Sequence, residues 1–326
     1  MPSKVHLGEI TSKHLRNPAP YAIIAPENYE PLPLCIFLLG AGGTRDALVD
    51  LQPVFDAWWA DRSIPQMVFA TPTPGGDYYI EDADARVCWD SFLALDFIAE
   101  VRTRATVSDR ILLAGISGGG YGALKLAFAR PDLFAAVAAM QPMLEPGLSA
   151  SDVPPRNRLH HSAGGPKQLV GPDRDAALWE ANNPANRARA NANAIRDANP
   201  AIYLDAADRD FLNAHDGAEF LHRALWDLDI SHEYHLVRDA DHGGPTMRPR
   251  THAMFAWFGS VFDGPASDTA TEQAATAWLE SGMKTKAPSG ATSTNAFLRF
   301  LRAGLEPARQ RAAETDPTVA RRFGRL

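Results

Sequence analysis

The stretch that decides the fold is ILLAGISGGGYGALKLAF, residues 111–128. It begins with a short, fully apolar run, as expected of a parallel strand buried on both faces. It continues into an alanine- and leucine-rich helical pattern that Pro131 stops. Between the two, Ser117 stands among Gly115, Gly118, Gly119 and Gly120. G-x-S-x-G at a strand-to-helix junction is a nucleophile elbow, a tight turn that presents a serine hydroxyl above the sheet. Side chains at Gly115 and Gly119 would collide with the neighbouring strand and helix, and the Gly118 N–H at the helix start can point at a developing oxyanion. The bland alternative is a glycine-rich phosphate loop with Ser117 as a helix cap. It lacks both the lysine of a P-loop and the G-x-G-x-x-G spacing.

Outward from this stretch the chain alternates strand and helix patterns. Residues 21–26, 34–40, 66–72, 110–116, 134–140, 201–206 and 233–237 read as strands. Residues 53–61, 88–104, 216–228 and 252–262 read as helices, as does the segment after the elbow. This alternation predicts an α/β protein with a mostly parallel central sheet and helices on both faces. Ligands of such sheets bind at the carboxyl ends of the strands. The pattern is complete by residue 263, so residues 1–263 read as one domain, with the Pro-, Gly-, Ser- and Asp-rich stretch 143–177 as a lid-like excursion. Residues 264–326 read as a linker and a helical C-terminal appendage. Its stripe of Phe297, Leu298, Leu301 and Leu305 is suited to docking on the sheet domain or on a second copy in a homodimer.

Composition narrows the function classes. The chain has 326 residues, 45% of them hydrophobic, and a net charge of -7, which argues against a nucleic-acid binder. It contains no apolar run of the ~18 residues needed to span a membrane. No apolar segment follows Lys4, so no secretory signal is read and a cytoplasmic protein is expected. Cys35 and Cys88 sit in apolar or aromatic settings and read as reduced packing residues, with one disulfide left open as the alternative.

Three segments carry a resemblance. YAIIAPENYEPLPLCIFLLGAGG (21–43), GISGGGYGALKLAFARPDLFAAVAA (115–139) and LWEANNPANRA (178–188) resemble the esterase family of α/β-hydrolases that includes esterase D, feruloyl esterases and mycolyltransferases. The similarity extends over roughly residues 18–262. It implies the α/β-hydrolase fold and a serine-dependent carboxylic ester hydrolase working through an acyl-enzyme on a small-molecule ester, with no cofactor and no metal. Ser117 is then the nucleophile, and the oxyanion hole is formed by the N–H groups of Gly118 and Ala41. Two departures stand out. The family's histidine before the oxyanion glycine is Leu39, so that loop loses a polar support, and the residue after the serine is Gly118 where the family usually has methionine.

In this fold the acid and the histidine follow the serine in that order. By resemblance Asp210, after the strand at 201–206, is the acid, with Asp208 as the alternative, and His242, after the strand at 233–237, is the base. Each alone reads equally well as a turn aspartate or a surface histidine. Asp208, Asp210, His215, Asp216, Asp239, Asp241 and His242 also form an acidic and histidine-rich set, but without metal-ligand spacing. Residues 75–89 follow a strand end, making Asp77, Tyr78, Tyr79 and Trp89 candidates for substrate contact, with ordinary aromatic packing as their alternative, favoured for Trp89. His160 and His161 lie in the excursion and read as exposed loop residues, with a place facing the pocket as the alternative. Two other functions fit the same residues: an acyltransferase that excludes water, and a non-catalytic binding module on a hydrolase-like fold.

Overall fold

The computed structural model describes residues 3–27, 30–75, 79–82, 87–158 and 176–263, together with Glu306, Gln310 and Glu314. The chain divides into two units, Met1–Phe262 and Asp263–Leu326. The first carries the sheet. The apolar stripe at 297–305 lies outside the described residues, as do Asp77, Tyr78, His160 and His161.

Eight strands form one sheet in the order β1-β2-β4-β3-β5-β6-β7-β8. They are β1 Lys4–Ile10, β2 Ala19–Ala25, β3 Leu32–Leu38, β4 Val68–Pro72, β5 Val107–Ile116, β6 Ala136–Met140, β7 Ala201–Ala207 and β8 Glu233–Val237. β1 and β2 run antiparallel, and β4, β3, β5, β6, β7 and β8 are parallel. Every parallel strand foreseen from the sequence is present. β1 was missed because KVHLGEI is a half-exposed edge strand with a glycine at its centre. Gly8 is where the strand crosses the Tyr21 ring: a Cβ there would lie 2.3 Å from it.

The helices are α1 Arg45–Asp50, α2 Gln52–Ala60, α3 Trp89–Ser91, α4 Ile98–Arg104, α5 Gly118–Ala129, α6 Ala176–Asn182, α7 Pro184–Ala190, α8 Ala192–Ala198, α9 Ala214–Asp227 and α10 Met247–Asp263, with a π-helical turn, Phe92–Phe97, joining α3 to α4. Because successive strand residues face opposite ways, β3 sends Leu34, Ile36 and Leu38 to one face and Cys35 and Phe37 to the other. The first face packs on Phe92, Phe97 and the α5 residues Leu124 and Phe128. The second packs on Phe55, Trp58, Trp59, Phe255 and Phe258. There Phe55 stacks on Phe69 at 4.1 Å between ring centroids, with Phe255 edge-on to Phe69 at 4.8 Å. Both cysteines are free thiols, Cys35 in this core and Cys88 half-buried. Among the described residues no helix is long and apolar enough to cross a membrane.

Candidate active site

Ser117 leaves β5 at φ 57°, ψ −121°, a conformation that L-residues rarely adopt. The glycines make it possible. A Cβ on Gly115 would lie 2.2 Å from the Gly119 carbonyl oxygen, and one on Gly119 would lie 2.0 Å from that of Leu38. Helix α5 therefore starts almost in contact with the end of β3. Gly40 also faces the serine: a Cβ there would sit 3.0 Å from the Ser117 Cβ. The loop holding Ala41 thus borders Ser117, and the Gly118 N–H, first in its helix, has no intrahelical acceptor.

The structure brings three of the sequence-derived residues together. His242 Nε2 lies 2.9 Å from Ser117 Oγ, and His242 Nδ1 lies 2.7 Å from Asp210 Oδ2. The Asp210 side chain is fully buried and the imidazole 13% exposed, so the histidine keeps a small face open to solvent. Asp210 also accepts from the Leu212 N–H at 2.8 Å. Asp208 does not reach the histidine. Its carboxylate accepts from the Ala240 N–H at 3.2 Å and ties the β7 loop to the β8 loop. Among the described residues no group of three or more His, Cys, Asp or Glu is placed to hold a metal ion.

The histidine loop is held by Asp241, Gln141 and Arg250, in roles the sequence reading did not assign to them. Asp241 Oδ1 accepts from the Phe211 N–H at 2.9 Å and the His242 N–H at 2.7 Å, and these bonds hold its carboxyl below the usual carboxylate range. Gln141 donates to the His242 carbonyl, and Arg250 donates to the carbonyl of Asp241 at 3.1 Å and to Gln141 Oε1 at 2.6 Å. The buried Arg250 is paired in turn with the buried Asp205 of β7, whose pKa burial raises despite that partner. Asp205 was the available signal: a charge inside the buried strand AIYLDA needs a partner.

Tyr79 and Trp89 are buried and not exposed for substrate contact. They are 1% and 2% exposed, pack edge to face at 5.1 Å, and belong to the core on the α5 side of the sheet. The sequence pattern could not separate an aromatic lining from an aromatic core. The large apolar side chain beside the site is Phe211, 66% exposed and edge-on to the His242 ring at 6.0 Å.

This sheet order, with a strained serine leaving its central strand and an acid and a histidine beyond the last two, is that of the α/β-hydrolases. A comparison with family models narrows the class: the esterase model, described as "Putative esterase", matches residues 14–257. The chain belongs to that family and is a serine esterase. Solved structures similar to it include a ferulic acid esterase, at 20% identity over 80% of this chain and 99% of the other, with a TM-score of 0.61. Another is FphF, a fluorophosphonate-binding serine hydrolase of Staphylococcus aureus, at 17% identity over 79% and 98%, TM-score 0.64. A third is an S-formylglutathione hydrolase from Agrobacterium tumefaciens, at 16% identity over 79% and 92%, TM-score 0.56. At these identities the likeness is one of fold. A search of curated proteins finds no match.

Proposed function

We propose that the chain hydrolyses carboxylic esters through an acyl-enzyme formed on Ser117. The observation that carries this reading is the unbroken chain of short contacts from Ser117 through His242 to Asp210, built on a serine whose backbone is strained outward. His242 takes the serine proton as Oγ attacks the ester carbonyl, then passes it to the leaving alcohol. Asp210 holds Nδ1–H and stabilises the imidazolium. The N–H groups of Gly118 and Ala41 receive the tetrahedral oxyanion. Water, activated by the same histidine, then releases the acid.

The test is Ser117→Ala with a series of p-nitrophenyl esters and a fluorophosphonate label. Turnover should fall on the order of a million-fold, as for the nucleophile of a serine protease, and labelling should vanish. A folded variant that keeps more than about a tenth of wild-type turnover would exclude Ser117 as the nucleophile.

A further inference from the structure

The peptide of Leu39 is tightly held. The ladder from β3 to β4 ends at Ile36 against Ala70, and that to β5 ends at Leu38 against Gly115. Leu39 comes next, just before the Gly40–Ala41 turn. The Tyr79 hydroxyl takes both sides of this residue. It accepts from the Leu39 N–H at 3.1 Å and donates to the Leu39 carbonyl at 3.2 Å. One side chain thus supplies what a neighbouring strand would have supplied.

The same tyrosine touches the other wall of the site. A Cβ on Gly122, one turn into α5 from Ser117, would lie 2.8 Å from the Tyr79 Cβ and 2.9 Å from its ring. A Cβ on Gly119 would meet the Leu39 carbonyl oxygen at 2.8 Å. Tyr79 is therefore wedged between the helix that carries the Gly118 N–H and the loop that carries the Ala41 N–H.

Its own mount is rigid. Tyr79 sits at φ 60°, a conformation a bulky residue keeps only when its surroundings impose it. Two residues on, Asn182 accepts from the Glu81 N–H at 2.7 Å and donates to the Glu81 carbonyl at 2.9 Å. The Glu81 carboxylate meets the fully buried Lys125 of α5 at 3.1 Å and accepts from the Asp90 N–H at 2.8 Å. Lys125 also pairs with Asp90 at 2.5 Å, and Asp90 with Arg187 of α7 at 2.5 Å. A buried ionic network of this kind is weak evidence for stability. Here it fixes the segment that carries Tyr79.

We propose that Tyr79 is a positioning residue for the oxyanion hole: its hydroxyl sets the Leu39 peptide, and with it the distance between the Ala41 and Gly118 N–H groups. The proposal rests on the Ser117 reading above and deepens it. Tyr79→Phe removes the hydroxyl and keeps the ring. With active sites titrated by a fluorophosphonate, kcat should fall about ten- to a hundredfold, because a misplaced donor loses stabilisation that exists only in the transition state. KM should change less than about threefold. A trifluoromethyl ketone, whose serine adduct carries the oxyanion, should bind more weakly by the factor by which kcat/KM falls. Asn182→Ala, which loosens the mount and leaves the hydroxyl, should give a smaller kcat loss at unchanged KM and decides the matter if Tyr79→Phe fails to fold. Wild-type kcat and ketone affinity in Tyr79→Phe would overturn the proposal, as would a loss carried wholly by KM. If Ser117→Ala abolishes labelling while Tyr79→Phe is fully active, this proposal alone fails.

Discussion

Glu145 offers a test that reads stability and leaves the chemistry aside. It lies in the segment after β6, two residues beyond Met143, whose N–H donates to the Ser117 carbonyl at 3.1 Å. The side chain is 3% exposed, and burial pushes its pKa up from the ordinary 4.5 to about 8. The buried Tyr121 phenol beside it is raised well above its normal value, first by burial and then by the Glu145 charge. The folded protein therefore keeps the Glu145 proton up to about pH 8, whereas the unfolded chain releases it near pH 4.5. Between those values the unfolded state binds fewer protons, so this group's contribution to stability is complete below about pH 4.5 and is lost as pH rises toward 8. Each pH unit is worth up to 1.36 kcal/mol, and the span is 8 − 4.5 = 3.5 units, or about 5 kcal/mol in all. That is comparable with the whole stability of many domains. Glu145→Gln stays neutral at every pH and should lack this slope. Urea unfolding of both proteins at pH 5, 6, 7 and 8, with equal m-values, should show curves that diverge in favour of the variant as pH rises. Parallel curves would mean that Glu145 ionises in the folded protein as it does in water, and the reasoning from burial would fail.

Two further sets of variants address the site. Asp210→Asn should lower turnover by ~10⁴, because the amide favours the wrong histidine tautomer, while Asp208→Asn should alter mainly the stability of its loop; steady-state kinetics of both variants decide, and the reverse order would reassign the acid. Arg250→Met leaves the buried Asp205 carboxylate without its partner and should cost about 3–5 kcal/mol in chemical denaturation. The double variant Arg250→Met/Asp205→Leu should recover much of that stability, but not the wild-type kcat, since the Asp241 carbonyl still lacks its donor. Full recovery of kcat in the double variant would show that Arg250 has no part in placing the His242 loop.

The parallel strands and the helices beside them were legible because burial writes itself into the chain as a local period. A strand covered on both faces must be apolar throughout, and ILLAGI and FAAVAAM are. The serine was legible because a tight turn under close backbone contact tolerates almost nothing but glycine at Gly115 and Gly119. Asp210 and His242 could be proposed because the strands before them are readable and a parallel sheet puts every strand's carboxyl end on one rim. Tyr79, Gln141 and Arg250 were not legible in their roles. Tyr79 meets a peptide 40 residues away, and Arg250 meets Asp205 across 45. Such contacts leave no period, since a hydroxyl or guanidinium bonding to a distant backbone needs only to arrive at the right place. The chemistry of the site was thus encoded locally, in residue types at strand ends. The stiffness of the loop at Leu39–Ala41 and of the His242 loop was decided by folding, because it depends on where separate loops meet once the sheet has brought them together.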